Sequence, residues 1–545
     1  MTDDARQDSL GAAIVDLLVE HGIDTFFGIP GTHNLELYRG LAQAGDRARH
    51  VLVRHEQAAG YAADAYARAA GRPACVIVTS GPGLANVLVG AGNAYADRVP
   101  MLVLSPGPER DTAGTEDGWL HYTKDQHGMA QAVFERSVRA ETPEGALVAV
   151  EDFVLRWRTG ESSLPLHLEV PADLLSLPVA TRAPTPAVAG VARRISAVAP
   201  ESEVERLRAV LDGTSSVGVV VGREARAASS AIGAFARSRG ALVVETGEAK
   251  GVVPSGVPGY LGATAEFPEA AQAVFACDVV LVLGSELRRA DVAVPPADSP
   301  RCVIRVGRSH GERFSNLVPD VALDVDPGDL LTRLSTDHPV RAADDSAVAA
   351  TAAAIRARVS AAAPAYVRRT IELLQEVMAD GPLIVGDSSQ VCYFGVAPLL
   401  DGLPAGSYLN SFGFSTLGYC VPASVGAALG APERPVLGVT GDGALLFSIA
   451  EMLTAVEQRL PIVVLVVDNT GYGEIRDEMV AAGIPPVGVE FGIPDLGSVV
   501  RGLGADYARI APGELASIPA RIRDSWRADG PTIIHITSDV LEGAR

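Results

Sequence analysis

Five cysteines in 545 residues, at positions 75, 277, 302, 392 and 420, form no CxxC pair. Such spacing supplies neither a disulfide framework nor a zinc site. Aromatic residues make up only 5%, in a globular composition carried by Ala, Val and Gly. Positive charge is short as well: 45 Lys and Arg stand against 66 Asp and Glu, for a net charge of −21. That balance excludes a nucleic-acid surface, which needs a basic face. No apolar run approaches the roughly 20 residues of a membrane span. The first ten residues, MTDDARQDSL, are acidic and lack the charged-then-apolar pattern of a signal segment. A cytoplasmic protein without nucleic-acid or membrane partners is expected.

The chain is too long for one core, so several domains are expected. Two stretches read as linkers: PVATRAPTPAVAGVA (178–192) and STDHPVRAADDSAVAATAAA (335–354), the second running into a helix. The first block has strand-like apolar runs DTFFGIP (24–30), ACVIVTSGPG (74–83) and PMLVLSPG (100–107), with a helical stretch at 56–71. The middle block has SVGVVVG (216–222), ALVVET (241–246), DVVLVLGSE (278–286) and CVIRVG (302–307). The last has PLIVGDSSQ (382–390), PVLGVTGDG (435–443), PIVVLVVDN (461–469) and PTIIHITSD (531–539). Buried strands alternating with amphipathic helices imply α/β architecture, three doubly wound domains with central parallel sheets. The middle block carries a turn, VVVGREARAASSAIGAFA, like those that bind nucleotides but without GxGxxG, and reads as structural.

Asp442 lies between two glycines in VTGDGALLF (439–447), where a strand gives way to apolar helical spacing over 444–458. A turn aspartate capping its helix is one reading. The carboxyl edge of a parallel strand is also where α/β sheets bind ligands. Between Gly443 and Asp468 there is room for one helix and the next parallel strand, which brings DNTGYGEI (468–475) back to the same edge. Asp442, Asn469 and the carbonyl of Gly471 then offer hard oxygen ligands for Mg2+, leaving positions for phosphate oxygens. Gly441 and Gly443 let the backbone approach a phosphate, and a helix starting at Ala444 has free N–H groups.

GDG followed by a helix, a strand and an Asn-containing turn resembles the cofactor signature of thiamine diphosphate (ThDP) enzymes. Those enzymes carry two asparagines where this chain has Asp468 and Asn469, and Asn469 matches the ligand. The segment VRHEQAAGYAADAYARAAGRPACVIVTSGPG (53–83) is similar to the N-terminal domain of the pyruvate-decarboxylase and acetolactate-synthase family. HExxH zinc chemistry is excluded, because position 59 is alanine. The resemblance covers the whole chain and implies a pyrimidine-binding domain (1–180), a middle Rossmann-like domain (190–340) and a diphosphate- and Mg-binding domain (355–545). It implies Glu56 as the catalytic carboxylate at the aminopyrimidine, Leu417 as the residue bending the cofactor, and the Ser415 carbonyl as acceptor of its 4′-amino group. Ser389 and Gln390 would line the diphosphate. A homodimer or homotetramer is implied, with the cofactor between domains of two subunits.

The implied activity is decarboxylation of a 2-oxo acid through a C2 ylide and an enamine. FGIPGTHNLELYRGLAQA (27–44) and NTGYGEIRDEMVAAGIPPVGVE (469–490) look most like the branch that decarboxylates 5-guanidino-2-oxopentanoate. His33 would relay protons beside the thiazolium. Glu474 follows the metal turn, where a guanidinium wants a carboxylate. Asp477 and Glu478 fit a solvated helix start. In DGWLHYTKDQHG (117–128), His121 and Gln126 are further substrate candidates. The alternatives are an acetolactate-synthase-like carboligase and a non-catalytic protein that keeps the fold.

Overall fold

The computed structural model describes residues 8–112, 115, 118–179, 198–293, 302–307, 317–335, 345–493 and 495–543. Three parallel sheets follow one another along the chain, with an additional antiparallel pair, Asp8–Ser9 with Pro178–Val179. The apolar runs named above all contain a strand, because each is a short stretch rich in Val, Ile, Leu or Phe and almost wholly buried. Most of the first linker and residues 336–344 of the second lie outside the described residues; the second does lead into a helix, Asp345–Ala362.

The first sheet runs Arg49–Leu52, Thr25–Gly28, Ala74–Ile77, Met101–Gly107, Leu166–Pro171, Arg136–Arg139 in space. The third runs Tyr408–Leu409, Leu383–Val385, Val436–Gly441, Val463–Asp468, Thr532–Thr537, Asp506–Arg509. Both orders are second, first, third, fourth, sixth, fifth strand, so the two sheets share one topology. In each, the order reverses between the first strand and the third, and ligands of such sheets bind at that crevice beyond the carboxyl ends. Thr25–Gly28 and Ala74–Ile77 flank the crevice in one sheet; Leu383–Val385 and Val436–Gly441 flank it in the other.

These two sheets are bound together by helices Glu56–Ala70 and Cys420–Gly430, whose buried Tyr61, Ala62, Tyr66, Ala423 and Ala427 share one core. Gly426 is required there, since a β-carbon would lie 2.8 Å from the Cα of Ala62. Tyr419 donates to Asp64 at 2.5 Å, and Asp97 accepts the N–H groups of Phe412 (3.0 Å) and Gly413 (2.7 Å). Burial raises the Asp97 carboxyl, but the guanidinium groups of Arg68 and Arg288 outweigh it and hold the carboxyl below its ordinary range.

The middle sheet runs Leu242–Glu245, Val217–Val221, Val279–Leu283, Cys302–Val306, Val321–Leu323. Its own crevice, between Gly222 and Gly284, is a pocket lined by charged side chains, among them Arg288 paired with Glu248 (2.7 Å) and Asp291 (2.7 Å). Among the described residues, no helix is long and apolar enough to cross a membrane.

One expected element is corrected. The helical spacing over 444–458 does not form one helix. It breaks into Asp442–Leu446, a 3-10 turn at Ile449–Glu451, and Met452–Glu457. The interruption at Ser448 (φ −144°) leaves Phe447 exposed and lets Glu451 turn inward, where its carboxylate meets the backbone of Arg54 and His55. The first piece also starts at Asp442 rather than Ala444. With little more than one turn, it has a small dipole to offer an anion.

Candidate active site

On the first sheet the named residues gather around Thr79, just past the strand Ala74–Ile77. Glu56 opens its helix, with His55 as the cap accepting the Gln57 N–H at 3.2 Å. Its carboxylate is 9% exposed and accepts from Nδ2 of Asn86 at 2.9 Å. Gly83 leaves that carboxylate room, since a β-carbon there would stand 3.4 Å from Glu56 Oε1. His33 sits in the 3-10 turn Thr32–Asn34, with Nδ1 2.6 Å from the Ser80 hydroxyl. Its ring stacks edge-on to His121 at 5.1 Å and lies 5.8 Å from Trp119. Burial, then the charge of His121, lowers the His33 pKa. His121 is held at φ +66°, a strained conformation for a non-glycine residue, with Nδ1 3.5 Å from the Thr79 hydroxyl. Gln126 belongs to the same group but its amide is fully engaged. Its oxygen accepts the Gly81 N–H at 2.6 Å, and its nitrogen donates to Pro106 O (2.8 Å) and Glu169 (3.1 Å).

On the third sheet, Asp442 is 1% exposed at the end of its strand. Its Oδ2 accepts the Gly471 N–H at 2.8 Å, and a longer 3.4 Å contact runs from the Asn469 N–H to Oδ1. Burial, with the neighbouring charge of Asp468, pushes its carboxyl up to about 6. The Asn469 side-chain oxygen faces only acceptors: Gly471 O at 2.9 Å and Asp442 Oδ1 at 3.3 Å, contacts that would be hydrogen bonds if nitrogen stood there. With the amide oxygen turned to this side, Asp442, Asn469 and Gly471 present hard oxygen atoms of the kind Mg2+ takes, and the 2.9 Å separation from the Gly471 carbonyl matches neighbouring oxygens of an octahedron with Mg–O bonds of about 2.0–2.1 Å. Among the described residues, no group of three or more His, Cys, Asp or Glu is placed to hold a metal ion.

Asp468, in the place of an asparagine, is satisfied from behind. It accepts the Thr470 N–H at 2.8 Å and pairs with His535 Nε2 at 3.0 Å, while His535 Nδ1 meets the Tyr507 hydroxyl at 2.8 Å. Burial raises this carboxyl, but the bonds from His535 and Thr470 prevail and hold it below its ordinary value. Gln390 lies beside the turn. Its oxygen accepts from Tyr366 at 2.6 Å, and its nitrogen reaches Glu474 (3.1 Å) and Asp477 (2.9 Å). Ser389 is half-buried next to it, a β-carbon on Gly441 would stand 3.5 Å from the Ser389 Cβ, and Gly443 and Ala444 are buried behind Asp442.

Leu417 projects half-exposed from the loop before helix Cys420–Gly430, and Ser415 in that loop has φ +53°. The loop is held by Tyr61, whose hydroxyl bonds to Thr416, and by Tyr393, 3.0 Å from Ser415 Oγ. Two residues the sequence reading passed over matter here. Asn86 holds Glu56, and Asp387, within the quoted GDSSQ, lies wholly buried under the Leu417 loop. A charged residue directly after a buried strand was the available signal for Asp387. Asn86 has none.

Three family profiles match in order: the thiamine pyrophosphate enzyme N-terminal TPP binding domain over residues 8–133, the central domain over 204–334, and the C-terminal TPP binding domain over 392–536. The chain is 35% identical to the "Probable 2-ketoarginine decarboxylase AruI" of Pseudomonas aeruginosa, over 96% of this chain and 93% of that protein. It is 28% identical to the acetolactate synthase large subunit of Parasynechococcus marenigrum, over 96% of this chain and 86% of that protein. It is 25% identical to the pyruvate oxidase of Lactiplantibacillus plantarum, over 92% and 83%. With both sheets carrying their residues at matching crevices, the chain belongs to the thiamine-diphosphate-dependent enzymes that decarboxylate 2-oxo acids or join the product to a second carbonyl.

Proposed function

We propose that the protein is a ThDP- and Mg-dependent, non-oxidative decarboxylase of 5-guanidino-2-oxopentanoate. The observation that carries the reading is the gathering of Asp442 Oδ1 (3.3 Å) and the Gly471 carbonyl (2.9 Å) about the end of the Asn469 amide. Mg2+ would be held there by Asp442, Asn469 and Gly471 and would supply positive charge for a diphosphate, which Gly441, Gly443, Ala444, Ser389 and Gln390 would line. ThDP, when bound, supplies the nucleophilic carbon and the electron sink.

This chain's own residues do the rest. Glu56, 9% exposed and oriented by Asn86, exchanges a proton with the aminopyrimidine ring nitrogen. Leu417 supports the bent shape, and the Ser415 carbonyl accepts from the 4′-amino group. His33, backed by Ser80 and His121, carries protons at the reacting carbon. Gln126 pins the Gly81 turn beneath them. Glu474 and Asp477, already drawn together by one Gln390 nitrogen, favour a planar N–H donor such as a guanidinium at the substrate's far end. The likeness to a 2-ketoarginine decarboxylase supports the same substrate.

The domains take the bounds 1–180, 190–340 and 355–545, around the three sheets. Exposed Leu35, Leu52, Leu120 and Tyr122 on the first unit, and Phe414, Phe447, Ile475 and Val480 on the last, favour a homodimer or homotetramer. Five free cysteines, four of them buried, agree with a cytoplasmic enzyme.

The test is CO2 release and product mass with ThDP, Mg2+ and either 5-guanidino-2-oxopentanoate or pyruvate. Release from the guanidino acid with 4-guanidinobutanal as product is expected. Pyruvate turnover to a longer hydroxy-ketone, with the guanidino acid inert, overturns the reading in favour of a carboligase.

A further inference from the structure

Asp387 sits just past the carboxyl end of the strand Leu383–Val385, 0% exposed, and its carboxylate accepts four hydrogen bonds. Its Oδ1 accepts the N–H groups of Ser388 (2.9 Å) and Gly418 (3.0 Å). Its Oδ2 accepts the N–H of Cys420 at 3.0 Å and the hydroxyl of Thr440 at 3.3 Å. These four donors come from three pieces of chain: the turn leading to Ser389 and Gln390, the loop carrying Ser415 and Leu417, and the strand that delivers Asp442.

The loop needs such an anchor. Ser415 at φ +53° and Gly418 at φ +86° put two left-handed residues around Leu417, one of them without glycine's freedom. A backbone bent in this way holds its shape only where neighbouring bonds over-determine it, and Asp387 grips it at Gly418 and Cys420, directly behind Leu417. Both carboxylate oxygens are required as acceptors. An amide turned one way sets its NH2 against the N–H groups of Ser388 and Gly418, and turned the other way against that of Cys420, where the Thr440 hydroxyl can accept while donating to the Gly441 carbonyl at 3.3 Å. Burial pushes the carboxyl up to about 6, which the hydrogen bonds only partly offset.

We propose that Asp387 is the positioning residue of the cofactor platform, fixing Leu417 and the Ser415 carbonyl in register with the strand that ends at Asp442. The proposal rests on the ThDP reading above and extends it to a residue that touches neither cofactor nor substrate. Its consequence is specific. Without the carboxylate the cofactor still binds through the metal turn, but its two rings lose their mutual alignment, and proton removal at C2 slows.

The experiment follows hydrogen–deuterium exchange at C2 of bound ThDP by NMR, in the holoenzyme with Mg2+. Cofactor affinity is measured alongside by quenching of intrinsic fluorescence. For Asp387→Asn the expected result is ThDP affinity within tenfold of the parent, on the order of one hydrogen bond's change, and exchange slowed about a hundredfold, the scale set by a small misplacement of a reacting group. Thr440→Val, nearly isosteric and lacking one donor, is expected to fold normally and slow exchange about fivefold, the equivalent of one ordinary hydrogen bond. It decides the matter if Asp387→Asn does not fold. A purely structural role would lower the melting temperature and leave exchange per bound cofactor unchanged; that outcome overturns the proposal. A parent enzyme that binds ThDP but exchanges C2 no faster than free ThDP refutes the functional reading itself, and the proposal falls with it.

Discussion

The carboxylate of Glu451 accepts the backbone N–H of Arg54 at 2.9 Å, across 397 residues of chain. It also accepts the His55 N–H at 3.2 Å and, on its other oxygen, the Thr454 hydroxyl at 2.7 Å. These bonds fix the turn immediately before Glu56 from the last sheet's unit, and the break in the 444–458 stretch is what lets Glu451 make them. Glu451→Ala leaves backbone donors without an acceptor in a 2% exposed place, so unfolding free energy falls by about 1–3 kcal/mol. Glu451→Gln keeps an acceptor toward Arg54 and costs less than about 1 kcal/mol. Urea denaturation of the three proteins checks the order, and an alanine variant as stable as the parent contradicts it.

The proposed Mg2+ site at Asp442, Asn469 and Gly471 carries a prediction of its own. Removing the charge with Asp442→Asn weakens Mg2+ binding in the presence of ThDP at least about 10- to 100-fold, the range that mere outer-shell partners command. Calorimetric titration of the chelator-treated protein measures it. Retention of ThDP through gel filtration is expected to fail for the parent as well, once Mg2+ is stripped. Unaltered Mg2+ affinity in the variant would place the cation elsewhere.

Much of this was readable from the chain, for reasons that also explain what was not. Strands such as Val463–Asp468 are continuous apolar runs buried on both faces, and runs of that kind announce themselves. Leu166–Pro171 is equally buried but was missed, because His167 and Glu169 interrupt its pattern. His167 is tolerated only through Ser105 (2.8 Å) and Ser137 (2.7 Å), with burial pushing its imidazole down to about 3. Arg49–Leu52, Arg136–Arg139 and Asp506–Arg509 lie at sheet edges, half-exposed and charged, where nothing forces an apolar run. The site divides in the same way. Asp442 and Glu56 sit in local motifs, whereas Asn86, Asp387 and Glu451 act through partners that only the folded chain brings near.

Substrate choice tests the acidic pair beside the metal turn. Burial raises the Glu474 pKa, and the Gln390 bond opposes it. Glu474→Gln removes a charged acceptor from the guanidinium, so KM for 5-guanidino-2-oxopentanoate rises about 10- to 100-fold, the equivalent of one charge-assisted hydrogen bond. An uncharged 2-oxo acid of equal length is expected to keep its KM. Parallel rises for both substrates would mean that Glu474 shapes the site without reading the charge.

Lys250, one of two lysines in the chain, supplies a pH dependence of stability that can be isolated. It is 4% exposed at the seam between the middle and last sheets, with Nζ donating to the Ala397 carbonyl at 2.7 Å. Burial pushes its ammonium down from 10.5 to about 8, with Glu245 and Asp401 only partly opposing. Between those two values the unfolded chain keeps the proton that the folded chain has released. The unfolded state therefore binds more protons, and stability from this group rises with pH across that window. At about 1.36 kcal/mol per pH unit the full gain is about 3 kcal/mol. Lys250→Met cancels the gain, and takes from Glu245 an ammonium that lowers its carboxyl. The difference in unfolding free energy, parent minus variant, is thus expected to climb by about 3 kcal/mol from below pH 8 to above pH 10. Denaturation curves at several pH values measure it. A flat difference would mean that Lys250 keeps its ordinary proton affinity in the folded chain, and that water or Glu245 compensates its burial in full.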